Sequence, residues 1–180
     1  HPEFGTRKVT FSRELYVEQD DFMAEPVKKY FRLFPGNEVR FKSAYFIKCN
    51  SYDTDENGNV TCLHCTYDPE SRGGNSPDGR KVKGTIHWVN ANDCKQCEVR
   101  LYDRLFSAEE PGKNGDYFDD LNPDSLEVIE NCLLEGGFEN AKPGDTFQFM
   151  RNGYFCVDKD STEDKLVFNR TVALNSSWGK

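Results

Sequence analysis

The sequence lacks several features that mark common classes of protein. Its 180 residues contain no secretory h-region and no apolar run near the ~20 residues of a membrane-spanning helix. Histidine is scarce, with three residues, and no serine stands in a G-x-S-x-G string. Walker-type and dinucleotide-type glycine loops are also missing. These absences argue against a membrane-spanning protein, a serine hydrolase and a nucleotide-binding enzyme.

Cysteine is present in an odd number, seven, which disfavours a secreted disulfide scaffold. We expect free thiols in a reducing cytoplasm. Two Cys-x-x-Cys pairs, Cys62 with Cys65 and Cys94 with Cys97, match the spacing of a four-thiolate zinc site. The first pair lies in a predicted strand, where residues three apart point to opposite faces. Ordinary thiols are therefore expected, and a zinc site formed by these four residues is the alternative.

Charge is distributed unevenly along the chain. The net charge of -8 and the pI near 5.0 disfavour generic nucleic-acid binding. However, residues 28–48 contain six Lys or Arg residues and a single Glu, whereas residues 105–145 contain eleven carboxylates and two lysines. Within the basic stretch, KKYFR (28–32) mixes cations with rings, a composition suited to unstacked bases. Arg40 and Lys42, two apart on a predicted strand, would add a second cationic ladder.

Alternation of apolar and polar residues with period two predicts β structure through most of the chain. The pair Asn57-Gly58 predicts a hairpin turn, and Gly84 inside a strand indicates a bulge or a close approach of two backbones. Short helices are expected only around 19–25 and after residue 137. The predicted strands are 38–49, 60–67, 81–89, 98–106, 126–134, 146–149, 153–157 and 165–174. This pattern predicts an all-β chain with one or two small barrels.

Several strings carry a family resemblance. They are FSRELYVEQDDF (11–22), KYFRLFPGNEVRFKSAYFIKC (29–49), GRKVKGTIHWV (79–89), RLYDRLF (100–106), GYFC (153–156) and LVFNRTV (166–172). Together they resemble the C-terminal anticodon-binding region of the glutaminyl-tRNA synthetase family, a class I family, over residues 7–178. The eukaryotic and archaeal type of glutamyl-tRNA synthetase shares this architecture and is one alternative. A barrel that binds structured RNA such as 5S rRNA is a second, and a zinc-stapled protein-interaction module is a third.

The resemblance implies two small antiparallel β-barrels. Residues 25–89 would form the distal barrel, and residues 1–24 plus 90–180 the proximal one. Full-length synthetases of this family use ATP with magnesium to attach glutamine to its tRNA, but the HIGH-like and KMSKS-like strings of class I enzymes do not occur in this sequence. The resemblance therefore implies a monomeric module in the cytoplasm that binds the tRNA for glutamine. It also implies that this module has no catalytic activity, needs no cofactor and binds neither membranes nor DNA.

Residue roles follow from the same resemblance. Arg32 corresponds to a family arginine that reads the third anticodon base. Arg40 and Lys42 correspond to two arginines near the first base, where Lys42 offers a point charge in place of a planar fork. Gln148 and Arg151 correspond to a glutamine and an arginine around the central uridine. The predicted anticodon-binding set is Arg32, Arg40, Lys42, Gln148, Arg151, Lys29, Tyr30 and Phe31.

Overall fold

The computed structural model describes residues 5–73 and 75–174, so the ends of the predicted proximal range, 1–4 and 175–180, lie outside the described residues. Short 3-10 turns occupy Gln19–Asp21, Pro69–Ser71 and Tyr117–Asp120. The described part of the chain has no helix with the length and apolar character needed to cross a membrane. The strands are β1 Leu15–Tyr16, β2 Glu38–Phe41, β3 Phe46–Thr54, β4 Val60–Asp68, β5 Thr85–Ile86, β6 Val89–Asn90, β7 Lys95–Tyr102, β8 Leu126–Leu134, β9 Thr146–Phe149, β10 Gly153–Val157 and β11 Leu166–Val172. The predicted all-β class is confirmed.

The chain divides into two compact units. The contiguous unit is Thr10–Asp93, and the discontinuous unit joins the residues up to Val9 to those from Cys94 onward. Residues 10–24 and 90–93, which the sequence prediction assigned to the discontinuous barrel, therefore lie in the contiguous unit. The reason is packing, because Phe11 and Phe22 contact the core of this unit and the Met23 amide donates to the Leu33 carbonyl at 3.0 Å.

The contiguous unit is built on a four-stranded sheet in the order β4-β3-β2-β5. The predicted single strand over 38–49 is wrong, since a turn separates β2 from β3. Ser43 has a φ of 58°, and the Ala44 amide donates to the Phe41 carbonyl at 2.9 Å. The buried core of this unit is Leu33, Val39, Phe41, Ala44, Ile47, Cys49, Ile86 and Trp88.

The predicted strand over 81–89 is reduced to β5 and β6. The residues before β5 run instead along the backbone around residue 31, and the close approach predicted at Gly84 is confirmed. A Cβ at Gly84 would lie 1.8 Å from the Phe31 carbonyl oxygen. No side chain fits in this space, so glycine is required where the two segments meet.

The discontinuous unit is built on a five-stranded sheet in the order β8-β7-β11-β10-β9. Phe168 is fully buried, and Phe138, Phe147 and Phe149 pack edge-on or tilted around it. The N-terminal segment joins this unit through Arg7, whose guanidinium donates to the Gly136 carbonyl at 2.9 Å.

Neither sheet closes into the antiparallel barrel that the resemblance implied. In the described residues, both large sheets are open, and each contains one parallel pair, β2 with β5 and β11 with β7. Closure would need the two edge strands of a sheet to pair, and these edges are not hydrogen-bonded to each other.

Candidate nucleic-acid interface

The basic segment forms a turn that packs on the 3-10 turn at residues 19–21. Lys29 has a φ of 70°, which reverses the chain, and its side chain is exposed. The Tyr30 hydroxyl and Arg32 Nη1 both donate to the Asp20 carbonyl, at 3.0 Å and 2.9 Å. These two hydrogen bonds hold a ring and a guanidinium next to each other.

Arg32 is also paired with a buried carboxylate. Its Nη1 lies 3.3 Å from Asp21 Oδ1, and Asp21 is completely buried whereas the Arg32 side chain is 42% exposed. Asp21 and the Asp20 carbonyl both hold Nη1, which restrains the guanidinium while much of the side chain stays exposed. An arginine held in this way is suited to a two-pronged contact with a base edge.

The backbones of Phe31 and Arg40 both contact Gly84. The Phe31 carbonyl lies against Gly84, and the Arg40 amide donates to the Gly84 carbonyl at 2.8 Å. The Phe31 ring is 48% exposed, and Lys83 Nζ lies 5.0 Å from the ring centroid. The result is an exposed aromatic plane next to one cation, an arrangement that can stack a base and neutralise a phosphate.

Arg40 lies on β2 next to the buried Phe41 and therefore extends from the opposite face of the strand. Lys42, predicted on the same strand, lies instead in the turn after β2 and is exposed. The Arg40 guanidinium lies over the Phe46 ring at 5.2 Å, and its Nη2 donates to Asn75 Oδ1 at 3.2 Å. Its Nε is buried and makes no hydrogen bond within the described residues. A buried donor without a partner costs roughly 1–3 kcal/mol, and an incoming acceptor would reach this nitrogen only after the side chain moves.

Arg80 joins this surface as the centre of an ion-pair network. It makes a two-pronged contact with Glu38 at 2.9 Å and 3.0 Å, reaches Asp68 at 2.6 Å and also pairs with Asp78. The hydrogen bonds between Arg80 and these carboxylates raise the pKa of Arg80 above its ordinary value. The hydrogen bonds from Arg80 lower the pKa of Asp68 and of Asp78. This network keeps Arg80 charged and fixes the loop that follows Gly79.

An open pocket of about 430 Å³ lies beside Arg40. Four of the residues that line it are cations, and none is Asp or Glu. Aromatic planes, fixed guanidinium groups and a cationic pocket together can hold a strand of unpaired nucleotides. The cationic lining residues are Arg40, Arg80, Lys81 and Lys83.

Gln148 and Arg151, the other predicted site residues, belong to the discontinuous unit. Gln148 is exposed on β9 opposite Tyr154 of β10, which is 45% exposed. Arg151 lies in the turn between these strands with a φ of 72°. The neighbouring Phe147 and Phe149 point into the core, so Gln148 and Tyr154 form an outward-facing polar and aromatic pair.

Sequence reasoning assigned no role to Arg80, Lys81, Lys83 or Tyr154. The string GRKVKG already contained a signal, since it places three cations within four residues. Tyr154 could have been found as the cross-strand partner of Gln148, because the predicted strands 146–149 and 153–157 form a hairpin. No sequence signal indicated that Arg80 would pair with carboxylates as distant as Glu38.

The four cysteines of the alternative zinc site are distributed over both units. Cys62 and Cys65 lie on β4 of the contiguous unit, and Cys94 and Cys97 belong to the discontinuous unit. Cys65 is opposite Cys49 on β3, and Cys97 is opposite Cys132 on β8. Cys62 is instead grouped with Asp53 and His64, a set that the sequence analysis did not anticipate.

Comparison with known proteins agrees with this geometry. Residues 1–68 and residues 85–158 each match a family described as the anticodon-binding domain of class I tRNA synthetases (E and Q). The chain is 51% identical over 179 residues to a glutamine–tRNA ligase of Bradyrhizobium diazoefficiens, covering 99% of the chain and 32% of that protein. It is 54% identical over 176 residues to the enzyme of the same name from Clostridioides difficile, covering 97% of the chain and 32% of that protein.

A third relative, the glutamine–tRNA ligase of Pseudomonas putida, is 51% identical over 185 residues, covering 99% of the chain and 32% of that protein. The chain thus spans about a third of the length of the curated relatives it matches. The two family matches together span most of the chain. They include Arg32 and Arg40 but leave out residues 69–84, which contain three of the cations that line the pocket. The chain therefore belongs to the family of anticodon-binding domains of class I tRNA synthetases for glutamate and glutamine.

Proposed function

We propose that this chain is the anticodon-recognition module of a glutamine–tRNA ligase and that it binds the tRNA for glutamine. The observation that carries the proposal is the Arg40 guanidinium at the rim of a pocket lined by four cations and by no Asp or Glu. A guanidinium at this position can donate to an acceptor on a base edge or a phosphate that enters the pocket.

Recognition would use the free edges of unstacked bases. An anticodon loop presents its bases without pairing partners, so a protein can hold them apart and bond their Watson–Crick edges. Phe31 offers a stacking plane, and Arg32 offers guanidinium N–H groups that Asp21 orients. The family resemblance directs Arg32 to the third anticodon base and Arg40 with Lys42 to the first.

Aminoacylation is assigned to other parts of the longer protein. The chain carries no HIGH-like or KMSKS-like string, so its residues do not fit an ATP site of class I type. We propose that ATP with magnesium binds outside this stretch and that the module itself needs no cofactor. We also propose that the module acts as a monomer in the cytoplasm and binds neither DNA nor membranes.

The test measures the affinity of the 180-residue chain for an anticodon stem–loop of glutamine tRNA by fluorescence anisotropy. Arg40→Ala should weaken binding by roughly 1–3 kcal/mol, about 5-fold to 150-fold, and should reduce discrimination at the first anticodon base. Lys42→Ala should mainly reduce the salt dependence, by about one unit of slope. Arg13→Ala is the matched control, because Arg13 is exposed on the same unit and does not line the pocket.

Arg32 provides a second, independent arm. Arg32→Ala should weaken binding and reduce discrimination at the third anticodon base, and Arg32→Lys should keep the charge but lose discrimination. Unchanged affinity and discrimination in both Arg32→Ala and Arg40→Ala would refute the proposal. If the wild-type chain prefers the stem–loop of glutamate tRNA, the module belongs instead to a glutamyl-tRNA synthetase.

A further inference from the structure

The hairpin formed by β3 and β4 carries three potential metal ligands of different kinds on one face. Asp53 and Cys62 are direct cross-strand partners, and His64 follows Cys62 by two residues. Residues two apart on a strand share a face, so the three side chains extend to the same side of the hairpin. Their carboxylate oxygen, sulfur and imidazole nitrogen all lie within 4.8 Å of one another.

We propose that Asp53, Cys62 and His64 bind a zinc-class divalent cation. A thiolate, an imidazole and a carboxylate are the three ligand types that zinc takes in proteins, at about 2.0–2.3 Å. In a tetrahedral site, these bond lengths place ligand atoms about 3.3–3.6 Å apart. His64 Nε2 and Asp53 Oδ2 are 2.7 Å apart, a hydrogen-bond distance, so these two atoms must separate by roughly 0.6 Å to bind one ion, and all three ligand atoms already lie within 4.8 Å of one another.

The side chains are free to make the small adjustment that coordination requires. The His64 and Asp53 side chains are 53% and 61% exposed, so rotation about their χ angles displaces no core atom. The adjacent Asp55 is not part of the set, because its carboxylate accepts the amides of Asn57 and Asn59 and the Asn59 side chain, which form the hairpin turn. Coordination would release one proton, from the Cys62 thiol, as the thiolate–metal bond forms.

The ion would connect the two strands near the hairpin tip, outside the core of the contiguous unit. With three protein ligands in the group, the fourth tetrahedral position is left to water or to a donor atom of a bound molecule. An exposed Asp–His pair alone stabilises little. Because the ion binds only where the strands are paired, it would raise the unfolding temperature, and the rise would grow with the logarithm of the free ion concentration once that concentration exceeds the dissociation constant. This inference does not depend on tRNA binding.

The experiment uses the 180-residue chain, freed of metal with a chelator and titrated with Co²⁺ and then Zn²⁺. Tetrahedral Co²⁺ with a thiolate ligand gives a charge-transfer band and intense visible bands, and Zn²⁺ abolishes both by displacing Co²⁺. We expect one equivalent of Co²⁺ to saturate the bands. Cys62→Ser should abolish the charge-transfer band, and Asp53→Asn and His64→Ala should each weaken Zn²⁺ binding at least about 10-fold.

Two matched controls separate this site from the four-cysteine alternative. Cys65→Ser alters the same strand on its other face, and Cys94→Ser alters the other unit, so both variants should bind Co²⁺ as the wild type does. Far-ultraviolet circular dichroism checks that each variant is folded, and Asp53→Asn decides the question if Cys62→Ser does not fold. The absence of a Co²⁺ band in the wild type, its persistence in Cys62→Ser, or its loss in Cys65→Ser or Cys94→Ser would overturn the proposal.

Discussion

Gly84 is the position at which the structure predicts the largest effect of a single added methyl group. In Gly84→Ala, the Cβ would lie 1.8 Å from the Phe31 carbonyl oxygen and 3.2 Å from a Val39 methyl carbon. Since such contacts need about 3 Å, the two backbones must separate by roughly 1.2 Å. A displacement of this size also strains the 2.8 Å hydrogen bond from the Arg40 amide to the Gly84 carbonyl. Overpacking of about 1–3 kcal/mol and a strained or lost hydrogen bond of about 0.5–1.5 kcal/mol give an expected destabilisation of about 1.5–4.5 kcal/mol.

Urea unfolding followed by Trp88 fluorescence measures this destabilisation. Trp88 is 7% exposed and stacks on Phe41 in the core of the contiguous unit, and Trp178→Phe leaves it as the single tryptophan. Gly115→Ala, in the other unit, is the control for adding a methyl group at a glycine, since its Cβ has its nearest neighbour at 4.0 Å, and it should leave the free energy of unfolding reported by Trp88 unchanged within about 0.5 kcal/mol. A Gly84→Ala variant as stable as this control would refute the reasoning.

Three further predictions concern the discontinuous unit. The hydrogen bond from the Cys97 thiol lowers the pKa of Cys132 to about 7 and raises that of Cys97. Mass spectrometry after brief iodoacetamide treatment should therefore find Cys132 alkylated increasingly above about pH 7 and Cys97 protected, and equal labelling would contradict this. Phe168→Ala should lower the free energy of unfolding by about 3–5 kcal/mol in urea titrations, because Phe168 is fully buried; a loss below about 1 kcal/mol would count against the packing described. Lys165 lowers the pKa of Glu98, so the stability that Glu98 contributes is present above its ordinary pKa of about 4.3 and is lost as pH falls toward the folded-state value. Acid titration of Glu98→Gln should show a shallower loss of stability in that range, and an unchanged curve would argue against the ion pair.

Local signals were sufficient for much of the fold. Strands β8, β9 and β10 have the bounds that alternation predicted, and β4 extends one residue further, to Asp68. The hairpin turn at Asn57-Gly58 is confirmed, with Gly58 at a φ of 83°. These elements could be predicted because each one depends on residues close together in the sequence.

The errors arose where distant residues decide the backbone path. The turn between β2 and β3 has a positive φ at Ser43, a residue type that does not announce such a turn. The segment before β5 follows the backbone at Phe31, more than fifty residues earlier, and pairs with Arg40 only at its end. Alternation of apolar and polar residues could indicate neither the turn at Ser43 nor the contact between Gly84 and Phe31.

The candidate site was predictable only in part for the same reason. The ring and cation composition of residues 28–32 indicated an RNA-binding surface, and the family resemblance selected Arg32 and Arg40. The Arg80 network depends on carboxylates supplied by β2, by the end of β4 and by the loop before Arg80. The grouping of Asp53 with Cys62 depends on the register of β3 against β4, which contains irregularities on both sides of Ser51–Asp53.

The parallel pairing of β7 with β11 has a consequence for the order in which the chain folds during synthesis. Cys97 is the register partner of Leu166, so the five-stranded sheet needs residues from far apart in the chain. Residues 10–93 emerge from the ribosome together and can form their core while the later strands are still untranslated. Until β11 emerges, one edge of β7 has no partner strand, and the apolar residues of β7 stay exposed to water.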